Sequence, residues 1–556
     1  MAARSSATPV VGATQAEEII QGDVPGTVHL IDLEGTMGVK HDGKTKDVVL
    51  YPAPSPDPAD PLNWSRSKKL KNSIILQIYT GVVGGSTATG YAVYPNIIAN
   101  TGIPLSTLNS AIGVMFLFLG WGTLIWCSIG LQWGRRGVYI ITSLGCMCMM
   151  LWAPYTSGSG TWYAHRLLYG LFGAAEEALV EQSICDIFFA HERGTHMGLY
   201  MLWLGGTSFL FPMAAGYVAQ NMSWEWCFYF PAIFLAATTI IIFFGLDESM
   251  YDRDLLTRQA AIRGSTSAHI SSQETSQAVV DEKHPAIDDT DSNSETTQLV
   301  YETQSYWQSR KLFTIVPGKP NRIMHHVIGP LKHLYNFPIM SMSGFQYGAY
   351  LMLFTVLNGT WAAIFEAPPY NFSSGIGGVL YIFPFIGQLL ASQYCGKFAD
   401  WFHNRAARRN KGVREPEQRL WLYLACTILT PTGLLLYGVG GAHGIHWFGV
   451  GVGAAMVTFG GTVAGTAPIG YISDSYKELT GEGMVTMTLI RNTMGFAMGY
   501  AVTPWLDRDG MQNTFIAISF MHLACTLLYY PFIWFGKAER RRTAAKYYKY
   551  AAKAVH

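Results

Sequence analysis

Charge is what this sequence has least of. Only 13% of its 556 residues are Asp, Glu, Lys or Arg, against 49% hydrophobic and 13% aromatic, which is too little charge for an ordinary soluble domain of this size. Cysteine is scarce as well. All eight (Cys127, Cys146, Cys148, Cys185, Cys227, Cys395, Cys426 and Cys525) fall in or beside apolar runs, so neither a disulfide framework nor a metal site is expected. The one GxxxxGK[ST] string, 38-GVKHDGKT-45, lies in the polar first segment between no strand and helix runs, so an ion gradient or no energy source is expected, and no cofactor. The histidines form no nucleophile or metal constellation, so an enzyme is not expected. No basic, aromatic-interleaved patch marks a nucleic-acid site. The first 72 residues are polar and Pro-punctuated, as in 52-PAPSPDPADPLNWS-65, with no short apolar core of a secretory leader.

What is there is a series of apolar runs of about 20 residues, the length that crosses a hydrocarbon core as a helix. They begin near Ser73, Thr107, Val138, Trp162, Met197, Cys227, Phe337, Ser374, Leu420, His446, Met484 and Thr514. The expected fold is therefore an all-α membrane protein of twelve transmembrane helices in two six-helix pseudo-repeats. The expected organisation is a cytoplasmic, largely disordered segment (1–72), a first bundle (73–246), a linker (247–336), a second bundle (337–536) and a basic tail (537–556). The linker centre, 264-STSAHISSQETSQAVVDEKHPAIDDTDSNSETTQ-298, has the composition of a disordered chain.

Lys and Arg test the orientation. With the N-terminus inside, all but Arg166 and Arg508 of the 38 fall in internal segments, provided that Arg491 is counted as flanking the tenth–eleventh loop. That bias predicts both termini in the cytoplasm. Two six-span sets joined by a long linker suggest a parallel internal repeat, and 134-GRR-136 and 396-GKFAD-400 stand at equivalent places.

The fourth span, within 165-HRLLYGLFGAAEEALVEQSICD-186, carries most of the buried charge. At 100° per residue, Arg166, Gly170, Gly173 and Glu177 lie within about 60° of one another, Glu181 about 40° beyond Glu177, and Glu176 about 100° away. An ionised group at bilayer depth costs about 2.5–3.5 kcal/mol or more on insertion scales, so it normally faces a partner or a wet cavity. Glu177 or Glu181 could exchange protons beside Arg166 or meet a cationic solute. A structural ion pair between helices is the plainer alternative. Elsewhere, Ser86, Thr87 and Thr89 in the first span and Gln346, Tyr347, Tyr350 and Asn358 in the seventh offer hydrogen bonds to a solute or to neighbouring helices. Thr87, Glu176, Gln346, Tyr350 and Asn358 are the cavity candidates.

Several segments stand together along the chain: 57-DPADPLNWS-65, 191-HERGTHMGLY-200, 369-PYNF-372, 396-GKFADW-401, 414-REPEQRLW-421, 473-SDSYKELTGE-482, 491-RNT-493 and 504-PW-505. Over residues 48–540 the chain resembles the major facilitator superfamily, in its twelve-span fungal drug:proton antiporter branch. The resemblance implies two bundles rocking about a midplane site, with gating loops at Arg135, Arg136 and Asp400. It also implies a proton-coupling role for Arg166, which is followed by Gly170 as in the family's fourth-span motif. Three departures stand out. Leu131 occupies the place of an expected acid, Phe211 precedes Pro212 where Gly is usual, and 224-WEW-226 replaces Trp-Arg-Trp.

The resulting expectation is a monomeric, proton-coupled secondary transporter exporting a drug-like compound or secondary metabolite. Glu177, shared with Glu181 and modulated by Arg166, would carry the proton. Uptake of a cation such as a polyamine and a non-transporting nutrient sensor are the alternatives. The plasma membrane is the expected location, with the vacuolar membrane as the other choice.

Overall fold

The computed structural model describes residues 59–251, 310–314, 321–409 and 413–555, with 24–26, 28–29, 55 and 57. Residues 264–298 and most of 1–58 lie outside the described residues. The described chain is helical apart from a two-residue antiparallel pairing of Val28–His29 with Val413–Arg414. The first long helix, Arg66–Ala88, starts a turn or two before the expected Ser73, because Ser65 caps it by accepting from the Lys68 N–H. The basic tail is a helix too, Pro531–Val555, and the end of the linker forms Ile323–Asn336.

Among the described residues eight helices are long and apolar enough to cross a membrane, or nine if the bent pair Lys477–Leu527 and Pro531–Ala551 counts as one. Twelve spans are consistent with that number for a physical reason. Arg66–Ala88 opens on four basic residues. The fourth run is divided at Ala174 into helices of 15 and 13 residues, Ser159–Gly173 and Ala175–Ile187, that carry the charges. Thr480–Leu527 turns back on itself at Gly510, whose φ of 72° only glycine adopts freely. The outer surface is apolar, with Ile240, Phe244, Ile428 and Phe520 exposed, whereas Arg166, Glu176, Glu177 and Arg491 are buried. That inversion suits a hydrocarbon surround.

The two halves meet along two seams of small residues. A Cβ on Gly499 would stand 2.7 Å from the Gly113 Cα, and one on Gly216 would stand 2.5 Å from the Ser374 carbonyl oxygen. Backbones approach that closely only where side chains are absent. We call the end bearing Arg66, Gly134 and Ser475 proximal, and that bearing Gly102, Met222 and Gly510 distal. Distally, Asn109 donates to Thr503 across the halves at 3.0 Å. Proximally, Gln182 donates to the Gly481 carbonyl at 3.2 Å. Hydrogen bonds thus join the two halves at both ends.

Candidate functional site

A cavity lies between the halves, with about 60 Å³ accessible to the centre of a water molecule. One wall comes from Arg66–Ala88 (Gly84 and Thr87), one from Ala175–Ile187 (Glu176 and Glu177) and one from Pro338–Phe365 (Tyr347 and Tyr350). Gln388, Thr462 and Arg491 complete it from three further helices. Its apolar lining includes Phe116, Leu351 and Phe354. A few polar groups set in an apolar, aromatic wall are the usual composition of a small-molecule site.

Glu176 and Glu177 occupy the first turn of Ala175–Ile187, where the unpaired N–H groups and the helix dipole favour carboxylates. The Tyr200 hydroxyl ties down their backbone by donating to the carbonyls of Glu176 and Glu177 at 3.2 and 2.8 Å. The Glu177 carboxylate is held from the other half. Arg491 Nη2 donates to its Oε1, and Asn492 Nδ2 donates to its Oε2 at 2.8 Å. Arg491 Nη1 also donates to the Tyr347 hydroxyl at 2.5 Å, with the guanidinium over that ring. Glu176 is different: its Oε2 is buried and has no hydrogen-bond partner among the described residues. Gln388 joins the halves nearby, donating to the Met201 carbonyl at 3.1 Å and accepting from Thr462.

Of the cavity candidates, Thr87, Glu176 and Tyr350 line the space. Glu176 does so beside Glu177, although the wheel turns it about 100° away. Gln346 and Asn358 do not. Gln346 donates to the Cys525 carbonyl at 2.5 Å, and Asn358 donates to the Phe354 carbonyl of its own helix at 2.8 Å, so both serve packing.

Arg166 and Glu177 share a face but not a height. Eleven residues of helix separate them by about 16 Å, a distance that a wheel leaves out. Arg166 is fully buried distal to the cavity, its Nη1 3.5 Å from the Thr87 carbonyl and its guanidinium 5.0 Å from the Trp162 ring. Among the described residues no carboxylate pairs with it. Glu181 lies a turn proximal to the cavity, buried, and makes no hydrogen bond or ion pair among the described residues.

The principal omission from the sequence reading is Arg491. Counted as a loop flank, it sits eleven residues into Thr480–Leu527 and is 4% exposed. Its place well inside an apolar run was the available signal, the same one that exposed Arg166.

The model of the Major Facilitator Superfamily matches residues 78–504. The chain belongs to this superfamily. Its members are transporters rather than enzymes, which agrees with a central cavity between two helical halves. An uncharacterized MFS-type transporter of Schizosaccharomyces pombe is 28% identical, covering 95% of this chain and 94% of its own. A probable efflux pump of Aspergillus flavus is 26% identical over 81% of this chain and 97% of its own. Among solved structures, the proton:xylose symporter XylE has a TM-score of 0.56 at 12% identity, covering 84% of this chain and 97% of that one, a likeness of fold alone.

The two loops that carry Arg135, Arg136 and Asp400 lie at the proximal end. In the first, Leu131 replaces the expected acid, and Glu248 supplies a carboxylate from beyond the Trp226–Gly245 helix. It accepts from the backbone N–H groups of Arg135 and Arg136, both at 3.1 Å. Arg135 pairs with Asp186 at 2.6 Å, and Arg136 donates to the Phe243 carbonyl at 2.5 Å. In the second, Asp400 lies on the Ala399–Arg409 helix, and its side chain is outside the described residues. The acid in 224-WEW-226 also finds a reason. Glu225 sits at the start of Trp226–Gly245 and accepts from Ser223 Oγ at 2.6 Å, where a carboxylate complements the helix N-terminus.

Proposed function

We propose that this chain is a proton-coupled exporter of drug-like organic cations. The observation that carries the reading is the unpartnered Glu176 carboxylate in an aromatic-lined cavity where Arg491 is already engaged by Glu177. A buried carboxylate without a partner is costly, and an ammonium or other cationic group resting on Glu176 with its apolar body against Phe116, Tyr350 and Phe354 removes that cost. Arg491 is also near enough to Glu176 for their charges to interact.

This arrangement suggests an exchange. A proton on Glu177 releases Arg491, which then turns to Glu176 and competes with the bound cation. Loss of the proton returns Arg491 to Glu177 and readmits the cation. The Glu177–Arg491 pair joins the two halves, so its state also biases their rocking. In this scheme Arg166 and Glu181 act, if at all, through the helix rather than by contact with Glu177. The name of the Aspergillus flavus relative, a probable efflux pump, supports export; the plasma membrane, with both termini cytoplasmic, is the location this reading takes from the Lys and Arg bias. Uptake of a polyamine-like cation is the second reading, favoured by the same free carboxylate.

The test is net accumulation of a fluorescent lipophilic cation and of labelled spermidine in cells expressing the wild type or Glu176→Gln, at two external pH values. Less dye with the wild type, restored by the variant, supports export. More spermidine supports uptake. Equal accumulation of both in all cells counts against cation transport.

A further inference from the structure

The Ile323–Asn336 helix lies at the proximal end and touches both halves. The Arg322 N–H at its start donates to Gln132 Oε1 of the first half at 3.1 Å, and its Pro330 carbonyl accepts from Thr486 Oγ1 of the second at 2.9 Å. Near the start of this helix, His325 and His326 bring ring nitrogens within 4.8 Å of each other and of a carboxylate oxygen of Glu482. Glu482 belongs to the first turn of Thr480–Leu527. It is already oriented, because the fully buried His333 ring bonds its Oε2 through Nε2.

Two imidazoles and one carboxylate are the ligand set of a zinc site with one position left for water. A ligating carboxylate held by an outer hydrogen bond is the support such sites use. We propose that His325, His326 and Glu482 form a binding site for a divalent ion of the zinc class at the proximal end of the molecule. Donor atoms around tetrahedral zinc stand about 3.3 Å apart, given bonds of about 2.0–2.1 Å. Rotation of two rings that both reach the surface closes the gap from 4.8 Å. The ion ties the linker helix to the start of the helix that carries Arg491. The sequence reading, which found no metal constellation among the histidines, passes it over because Glu482 lies 156 positions from His326 in the chain.

The experiment uses the purified full-length chain in detergent, stripped with a chelator, and titrates Zn²⁺ against a chromophoric competitor. One equivalent is expected, with affinity reduced at least tenfold in His325→Ala and in Glu482→Gln. Co²⁺ should give the intense visible absorption of a four-coordinate site in the wild type and lose it in both variants. Matching unfolding temperatures of the chelated proteins establish that the variants are folded. Absence of stoichiometric binding overturns the proposal, as does one equivalent that persists unchanged in both variants.

Discussion

Arg491 and Glu177 are 314 positions apart in the chain and form an ion pair across the middle of the molecule, both side chains 5% exposed. Asn492, the next residue, takes the second carboxylate oxygen. One charged pair therefore ties the two halves at the wall of the cavity, and breaking it strands two charges at the centre of the fold.

Replacing Glu177 by Gln takes away the carboxylate bonded to Arg491, and the nearby Glu176 offsets only part of the loss. Removal of one partner of a buried pair costs about 3–5 kcal/mol. Thermal unfolding in detergent should show that loss, and Glu177→Gln with Arg491→Gln together should recover most of it. Transport by the double variant should lose its dependence on pH. If the double variant were as unstable as the single one, the pair would not be the relevant interaction.

The distal seam should act as a wedge point. Gly216 has no room for a side chain beside Ser374 and Gly378, so Gly216→Val holds the distal end apart. Thr503→Cys places a thiol on the opposite seam, where Asn109 bonds the native side chain. That thiol should react with a maleimide several-fold faster when Gly216→Val is also present. Equal rates would mean that the seams move independently.

Glu366 lies just beyond the Pro338–Phe365 helix, and burial pushes its carboxyl up to about 7. An acid whose folded value exceeds its unfolded value of about 4.3 stabilises the fold below the unfolded value and loses that contribution as pH rises through 7. The unfolding temperature of Glu366→Gln relative to the wild type should thus climb between pH 5 and pH 7. A flat difference would show that Glu366 titrates normally.

At the proximal rim, Glu248→Ala removes the acceptor of two backbone N–H groups at the start of Arg135–Trp152. Loss of a helix-start acceptor costs about 0.5–2 kcal/mol, and denaturant unfolding should register it. Glu248→Gln should recover part of the loss. The same experiment on Asp186→Ala, which strands Arg135, separates the guanidinium's contribution from that of the backbone.

The helical membrane fold was legible because apolar runs of about 20 residues have one common use, and the superfamily's motifs survive at several points. The buried charge of the fourth span was legible because charge is so costly there. Its partners were not. A helical wheel gives direction but not height, so it placed Arg166 beside Glu177, and it set Glu176 aside although the cavity takes in both glutamates. Arg491 was hidden by a charge count that needed it in a loop. Gln346 and Asn358 show the converse, since a polar residue in a span satisfies a backbone carbonyl as readily as it faces a solute.

The central claim is that Glu176 is the cation ligand and that the Glu177–Arg491 pair gates it. The most direct measurement is flux of a fluorescent lipophilic cation into proteoliposomes of the purified chain under an imposed pH gradient. The account predicts gradient-driven uptake by the wild type and a loss of at least tenfold both in Glu176→Gln and in Glu177→Gln, which leaves Arg491 against Glu176. Wild-type flux in Glu176→Gln would contradict it.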